Sequence, residues 1–159
     1  MLLVGETGSG KTSVLRHVAE DFGTSVINVN LALSSKLLEL TARQRSLRLL
    51  GFLDAVVRGD ERGASEDGKF LASDLSPLAP IVLDNTEILF DKALKQDPLR
   101  LLQGISRNRV VLASWNGVMT SGRLSYAETG HPEYRSYDSV DALIVEIRGE
   151  NIGIRNEKW

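Results

Sequence analysis

Residues 5–12, Gly-Glu-Thr-Gly-Ser-Gly-Lys-Thr, constrain the fold of this chain more than any other part of its sequence. They match the pattern G-x-x-x-x-G-K-T. The apolar run Met1–Val4 precedes them as the end of a strand, and a segment of helical period runs from Thr12 to Phe22. A glycine-rich turn between a strand and a helix points backbone N–H groups at one position, beside the positive end of the helix dipole. The pattern therefore predicts a loop that binds the phosphates of a nucleotide.

The residue types in this loop have separate chemical roles. We expect Lys11 to reach the β- and γ-phosphates as a point charge and the Thr12 hydroxyl to be a Mg²⁺ ligand. We interpret Glu6 and Thr7 as tolerated loop positions. The N-K-x-D segment that reads guanine is absent, which favours ATP as the cofactor. The predicted nucleotide-binding residues are Gly5, Glu6, Thr7, Gly8, Ser9, Gly10, Lys11, Thr12 and Ser13.

Short β-branched runs alternate with longer helical segments along the rest of the chain, which is typical of an α/β fold with a parallel sheet. Helical pattern covers residues 31–58, 86–95 and 98–105, and polar residues 59–76 read as a loop. The further strands are predicted at Ser25–Val29, Ile81–Leu83, Val110–Ala113 and Leu143–Ile147. The segment between the last two strands is long and irregular. We therefore predict a five-stranded, mainly parallel sheet with helices on both faces, the P-loop NTPase fold.

The length of 159 residues suits one domain. We place a P-loop domain at 1–148 and a tail without a clear element at 149–159. Folds of this type usually have structure before the first strand, so we expect a late start codon or a trimmed N-terminus.

Composition excludes several classes of protein. There are 19 Lys and Arg against 21 Asp and Glu, a net charge of −2, with no Cys and two His. A disulfide scaffold and a thiolate metal site are therefore excluded, and with only two His we expect no structural zinc site. No apolar run approaches the roughly 18 residues of a membrane span, so we expect a cytoplasmic protein without membrane contact. With charge near zero, any DNA contact is expected to be local.

A second acidic site follows the apolar strand Ile81–Leu83. Asp84 stands where the carboxyl end of a parallel strand meets the ligand edge of the sheet, and we predict it as the second Mg²⁺ residue. Glu87 is the candidate for orienting the attacking water. The alternative is a capping box, in which Asp84 caps the next helix and Glu87 reaches back to it. Asn85 stands where many hydrolases have an acid, which predicts slow hydrolysis because an amide cannot take a proton.

Further candidates are polar residues near the fourth strand and the segment after it. Asn116 is placed to contact the γ-phosphate or its water, with an Asn116–Gly117 hairpin turn as the alternative. Arg135 is the first choice for an arginine acting in trans on the nucleotide of a neighbouring chain. Arg107, Arg109 and Arg123 are the other candidates. The alternative for each arginine is an ordinary surface residue.

A basic cluster of Arg43, Arg45 and Arg48 lies on a predicted helix. It is interpreted as a solvated face, with contact to a partner or a nucleic acid as the alternative. A third interpretation of the function is a small-molecule kinase, which needs an arginine lid over the phosphates. These arginines are the cluster available for that lid.

Residues 83–87, Leu-Asp-Asn-Thr-Glu, resemble the Walker B segment of AAA+ ATPases, and Asn116 falls at their sensor 1 position. More narrowly, the chain resembles BrxF, the small P-loop family of type III BREX (bacteriophage exclusion) systems. The stretches that carry this resemblance are INVNLALSSKLLEL (27–40), LDNTEILFD (83–91), LKQDPLRLLQGISRNR (94–109) and WNG…YAETGHPEYR (115–135).

The resemblance implies an AAA+-like core without the helical lid, acting as a cytoplasmic ATPase component of an antiphage defence system. The implied partners are ATP or ADP, a second copy of the chain, and other BREX proteins. Those include a large ATPase, an adenine-specific DNA methyltransferase, a helicase and an alkaline-phosphatase-like protein. The alternative function is a nucleotide-dependent assembly switch with little turnover.

Overall fold

A computed structural model of the chain describes residues 1–59 and 79–148, together with the backbone of a strand at 151–155. The strands are β1 Leu2–Gly5, β2 Val26–Asn28, β3 Ile81–Asp84, β4 Val111–Asn116, β5 Met119–Thr120, β6 Arg123–Tyr126, β7 Arg135–Tyr137, β8 Ile144–Arg148 and β9 Asn151–Arg155. The α-helices are α1 Lys11–Asp21, α2 Val29–Leu38, α3 Ala42–Arg58 and α4 Pro98–Ile105.

The main sheet has the strand order β2-β3-β4-β1-β8-β9. The first five strands in this order run parallel, which confirms the predicted five-stranded parallel sheet. β9 adds a sixth strand, antiparallel to β8, with Arg148 paired to Asn151. The expectation of a tail without a clear element is therefore wrong for 151–155, whereas the domain boundary at 148 stays a prediction.

Helices cover both faces of the sheet, as predicted. Side chains of a strand alternate between the faces. Leu3, Val82 and Leu112 point to one face, where Leu15 and Ala19 of α1 pack on them. The opposite face meets α2, α3 and α4. Phe22, the last residue of the segment predicted to be helical, is 59% exposed, because α1 ends before it.

Capping residues set where the helices begin. The Asn28 side chain accepts a hydrogen bond from Leu31 N–H, so β2 ends there and Val29 already belongs to α2. Thr41 and Gln44 form a capping box that starts α3. The helical segment predicted at 31–58 is therefore two helices, and α3 ends at Gly59 in the left-handed region. The Asp97 side chain caps α4, with Pro98 in its first turn as predicted.

Two predicted boundaries differ from the structure. Residues 86–95 form two 3₁₀ turns, Glu87–Phe90 and Lys92–Leu94, rather than an α-helix. The Asp91 side chain accepts from Ala93 N–H and separates them. β4 extends to Asn116, three residues beyond the predicted end. Apart from Gly59, the loop predicted at 59–76 lies outside the described residues.

A small antiparallel sheet occupies the segment predicted to be irregular. β6 pairs with β5 and with β7. Ser121 and Gly122 both have positive φ, 49° and 80°, and form the β5–β6 turn. The hairpin turn considered at Asn116–Gly117 is therefore not there. Phe90, Trp115, Tyr126 and Tyr137 form an aromatic cluster that joins this sheet to the main one.

None of the helices within the described residues is both apolar enough and long enough to span a membrane.

Candidate functional site

The candidate site lies at the carboxyl edge of the parallel strands, where β1, β3 and β4 end. β1 runs into the glycine-rich loop at Gly5, β3 ends at Asp84 and β4 ends at Asn116. Gly5 and Asn116 are paired in register, so the loop begins beside the end of β4. In open α/β sheets this edge is where ligands bind.

The loop between β1 and α1 folds into a cradle closed by its own lysine. Gly8 and Gly10 have φ values of 81° and 93°, a backbone region in which side chains are strained. Lys11 is only 7% exposed. Its Nζ donates to Gly5 O at 2.8 Å, to Glu6 O at 2.7 Å and to Ser9 Oγ at 3.3 Å. The ammonium group therefore lies inside the loop, at the start of α1.

Burial and nearby carboxylates act on Lys11 in opposite directions. Loss of hydration lowers its pKa, and the charges of Asp84, Glu87 and Glu6 raise it. The net pKa shift is downward. The three carboxylates therefore act electrostatically on the buried ammonium group of Lys11. The negative charge of a bound polyphosphate would act on the same ammonium group.

Thr12 and Asp84 are in direct contact. Thr12 Oγ1 donates to Asp84 Oδ2 at 2.7 Å, although 72 positions separate them in sequence. Asp84 points to the α1 face because it follows Val82 by two residues along β3. The two residues predicted to serve Mg²⁺ are thereby brought together.

Glu87 is held by an amide on each side. Asn116 Nδ2 donates to Glu87 Oε1. Asn30 Nδ2 donates to Glu87 Oε2 at 2.9 Å. An ionised carboxylate has about four acceptor positions, so a water can still bind to the same group. The capping-box alternative is not observed, since Thr86 is the residue before the 3₁₀ turn and makes no side-chain cap.

The turn between Asp84 and Glu87 sets the direction of the glutamate. Asn85 has a φ of 51°, in the left-handed region where Asn is one of the few tolerated residues. Its carbonyl accepts from Asn30 N–H at 2.9 Å. Buried Thr86 then donates its hydroxyl hydrogen bond to Ser114 O at 2.9 Å. These contacts fix the chain so that Glu87 reaches the end of β4.

A cleft of about 1600 Å³ opens between the loop and the small antiparallel sheet. Glu6 and Thr7 of the loop line it, together with residues of β5, β6 and the loops before and after β7, and Glu87 and Asn116 line it as well. Glu6 and Thr7, interpreted from the sequence as tolerated positions, therefore face this space. Burial raises the pKa of Tyr126, which also lines the cleft, and the charges of Glu87 and Glu133 add to the rise, so this phenol stays protonated.

Close backbone packing holds the small sheet beside the loop. Gly117 N–H donates to Gly5 O at 3.2 Å, the same carbonyl that Lys11 contacts. A Cβ at Gly117 would lie 1.8 Å from Ser125 O, so no side chain fits there. Buried Trp115 donates from Nε1 to the same Ser125 carbonyl at 2.8 Å.

The candidate arginines lie away from the cradle or are paired. Arg135 is in β7, in register with Tyr126, and does not line the cleft of its own chain. Arg109 donates to Val57 O, near the opposite edge where β4 begins. Arg123 lines the cleft and is paired with Asp138. None of Arg43, Arg45 and Arg48 lines the cleft, so no observation favours the kinase reading.

Sequence reasoning missed Asn30. Besides its contact with Glu87, its Oδ1 accepts from Ile88 N–H at 2.8 Å, so it holds the whole 85–88 turn. A usable signal was present, because Asn30 lies two residues past the end of β2. The argument that singled out Asp84 and Asn116, a polar residue at the carboxyl end of a strand, applies to it as well.

One comparison with known proteins gives a match. The family model described as "ATPase family associated with various cellular activities (AAA)" matches residues 1–60. No curated protein and no solved structure gives a significant match. The matched segment contains the phosphate loop and ends before Asp84, Glu87 and Asn116, and the similarity supports an ATP-binding protein. The chain has the α/β P-loop NTPase fold, and its first 60 residues are similar to the AAA ATPases.

Proposed function

We propose that this chain binds Mg-ATP and hydrolyses it slowly. The observation that carries the proposal is the 2.7 Å contact of Thr12 with Asp84, directly after a loop whose lysine is already buried at the start of α1. The backbone N–H groups of the loop and the helix N-terminus suit a polyphosphate. Residues 5–13 hold it in this proposal.

The donor set at Thr12 and Asp84 fits Mg²⁺. Both groups are hard oxygen donors, and Mg²⁺ in phosphate-binding sites uses one or two protein ligands with phosphate oxygens and waters. Within residues 1–59 and 79–148 no three His, Cys, Asp or Glu side chains converge as a metal site. The ion would therefore enter together with the nucleotide, and it would neutralise charge on the phosphates.

Glu87 and Asn116 are proposed to position the attacking water. They line the same cleft as the loop residues Glu6 and Thr7. In this proposal Glu87 accepts the proton of the attacking water. Asn116 orients the Glu87 carboxylate by donating a hydrogen bond to it. Arg135 of a neighbouring copy is the proposed arginine in trans.

We further propose that the chain is a component of an antiphage system of the type III BREX class, in the cytoplasm. The four stretches that resemble BrxF support this. Three of them contain site residues: Asn30 in 27–40, Asp84 with Glu87 in 83–91, and Asn116 in 115–135. The test is phage plating on a host with the full set of BREX genes. Lys11→Ala should abolish restriction, and a Lys11→Ala strain that still restricts phage would overturn the assignment.

The biochemical test is phosphate release from Mg-ATP over a wide range of protein concentrations, with Lys11→Ala as the blank. Hydrolysis predicts release above the blank, and activity per molecule that rises with concentration indicates completion by a neighbouring copy. The proposal fails if the parent and Lys11→Ala bind Mg-ATP equally tightly.

The second candidate function is a nucleotide-dependent assembly switch. Asn85 favours it, because the residue after Asp84 is an amide in a left-handed turn and offers no second carboxylate beside the metal position. Lys11-dependent ATP binding without phosphate release, together with ATP-dependent capture of a partner, would support the switch over the ATPase.

A further inference from the structure

The exposed face of α3 carries an unusual pair of leucines. Leu47 and Leu50 are 74% and 49% exposed, whereas Leu49 and Leu53 of the same helix are fully buried. Arg43 lies one turn before Leu47, and Asp54 lies one turn after Leu50. Residues three or four positions apart are neighbours on a helix surface. These four side chains therefore form one continuous stripe, which we call the α3 stripe.

The order of charges in the α3 stripe is complementary to itself. If a second α3 is laid antiparallel with its two-fold axis midway between positions 47 and 50, each Leu47 meets a Leu50. The same axis brings each Arg43 to an Asp54, because 43 and 54 are equally far from that midpoint. A two-fold interface requires such self-complementarity. We propose that the α3 stripe is the interface of a homodimer of this chain.

Leu50 lies beside α4, where its Cδ1 would be 3.9 Å from a Cβ at Gly104, and it is still 49% exposed. Arg43 has no ion pair among residues 1–59 and 79–148. Asp54 contacts Arg58 at 2.7 Å, yet the Asp54 side chain remains 41% exposed and can accept from a second cation. No atom lies within 4 Å of the position that a Cβ at Gly51 would occupy. A leucine of the second copy can therefore approach the helix backbone there.

The size of the stripe sets the strength of the dimer. It spans about three helical turns, and one face of that length buries less than the roughly 800 Å² per partner of a stable interface. Two leucines in contact with two leucines supply the apolar centre, and the two ion pairs at the rim set direction and register more than affinity. The dimer is therefore weak, with a dissociation constant in the micromolar range or above.

Charge exchange within one chain tests the contact. Sedimentation velocity of the parent from about 1 to about 200 µM should show a reversible monomer–dimer equilibrium. Arg43→Asp and Asp54→Arg should each raise the dissociation constant at least about tenfold. The double variant R43D/D54R should restore it to within about threefold. Positions 43 and 54 lie about 16 Å apart along the helix, too far to pair with each other, so restoration reports on contact between copies.

One leucine variant and one phenylalanine variant complete the design. Leu47→Asp should leave the chain monomeric over the whole range. Phe22→Asp removes another exposed apolar side chain, from the end of α1 on the opposite face of the sheet, and should dimerise like the parent. Circular dichroism confirms that each variant is folded. A monomeric parent, a dimer that persists in Leu47→Asp, or a double variant no better than either single one would overturn the proposal.

Discussion

The hydroxyl of Thr12 donates directly to the carboxylate of Asp84, at 2.7 Å. Thr12 is the second residue of α1 and Asp84 the last residue of β3, so this hydrogen bond ties the phosphate loop to a strand two places away in the sheet. The hydroxyl and the carboxylate are both oxygen groups to which a divalent cation can bind. Because a hydroxyl keeps its lone pairs while it donates, Thr12 can bind a cation through its oxygen and keep this hydrogen bond to Asp84.

Thr12→Val tests whether the Thr12 hydroxyl binds Mg²⁺. Valine keeps the shape of threonine without the hydroxyl, so Mg²⁺ loses one ligand and should no longer strengthen ATP binding. In the parent we expect Mg²⁺ to tighten binding by about tenfold or more, which is at least about 1.4 kcal/mol. Titration of a fluorescent ATP analogue with Mg²⁺ or with EDTA measures the difference. Thr12→Ser keeps the hydroxyl and serves as the matched control; equal Mg²⁺ dependence in the valine and serine variants would contradict the assignment.

Glu87→Gln separates chemistry from binding. The amide keeps the size of the side chain but cannot take a proton, so phosphate release should fall by about a hundredfold or more while Mg-ATP binding stays within about threefold. Glu128→Gln is the control, because Glu128 is another carboxylate that lines the same cleft, whereas Asn116 and Asn30 contact Glu87. Single-turnover hydrolysis measures both variants. A Glu87→Gln protein that turns over at the parent rate would remove Glu87 from the mechanism.

Asn30→Ala should loosen the glutamate without touching the nucleotide loop. It removes the donor to Glu87 Oε2 and leaves the Ile88 N–H without its acceptor. We expect the free energy of unfolding to fall by about 1–3 kcal/mol and hydrolysis to slow, with little change in ATP affinity. Ser34→Ala is the control, because Ser34 lies on the same helix and its hydroxyl donates to Leu31 O. Chemical denaturation together with phosphate release measures both effects; unchanged turnover in Asn30→Ala would show that this contact is structural only.

Sequence patterns predicted the parts of this fold that local chemistry determines. The glycine-rich loop, the apolar β3 ending in Asp84, and α4 with its proline at the start all follow from residues close together in the chain. The parallel order followed from the alternation of strands and helices. Those features are confirmed in the structure. Each of them depends on the conformational preferences of neighbouring residues and on burial of one apolar face, which a sequence pattern shows directly.

What the sequence did not reveal depends on contacts between distant residues. The small sheet has strands of two to four residues, too short for a periodic pattern, and it is held by Gly117 against Ser125 and by the Trp115 indole. The role of Asn30 depends on β2 lying beside β3, which only the strand order reveals. Leu38, Leu47 and Leu50 fit the helical pattern equally well whether buried or exposed, and all three are exposed.

Gly117→Ala should destabilise the fold near the site. The new methyl group would lie 1.8 Å from Ser125 O, a backbone atom that can move only with β6. We expect a loss of about 2 kcal/mol or more in the free energy of unfolding. Gly104→Ala is the matched control, because its methyl group would meet only Leu50 Cδ1 at 3.9 Å, and a helical alanine gains roughly 0.5–1 kcal/mol over glycine. Thermal unfolding compares the two, and equal melting temperatures would contradict the packing.

Tyr137 should make the protein sensitive to alkaline pH. Burial and the charge of Asp97 raise the pKa of Tyr137 from 10.0 to about 12. Between these two values the unfolded chain has released the phenolic proton and the folded chain has kept it. The unfolded state therefore binds fewer protons, and stability falls as the pH rises through this window. Tyr137→Phe removes this contribution.

Urea unfolding at several pH values from 9 to about 12 measures the effect. The decline should be shallower in Tyr137→Phe than in the parent, and it should not vanish, because burial also raises the pKa of Tyr126. If the free energy of unfolding declines equally with pH in the parent and in Tyr137→Phe, then Tyr137 has the same pKa in the folded and the unfolded state, which would contradict the prediction.

The position of β1 in the sheet has a consequence for the order in which the protein is assembled. β1 lies between β4 and β8, and Met1 contacts Val111, 110 positions away. Closing such long loops is slow, since chain entropy is lost before any contact is gained. The strand that leads into residues 5–12 has both of its neighbours only after β4 and β8, which lie far along the chain, have paired with it. The phosphate loop is therefore among the last parts of the sheet to be completed, and nucleotide binding as proposed above would stabilise the folded sheet rather than its partly folded forms.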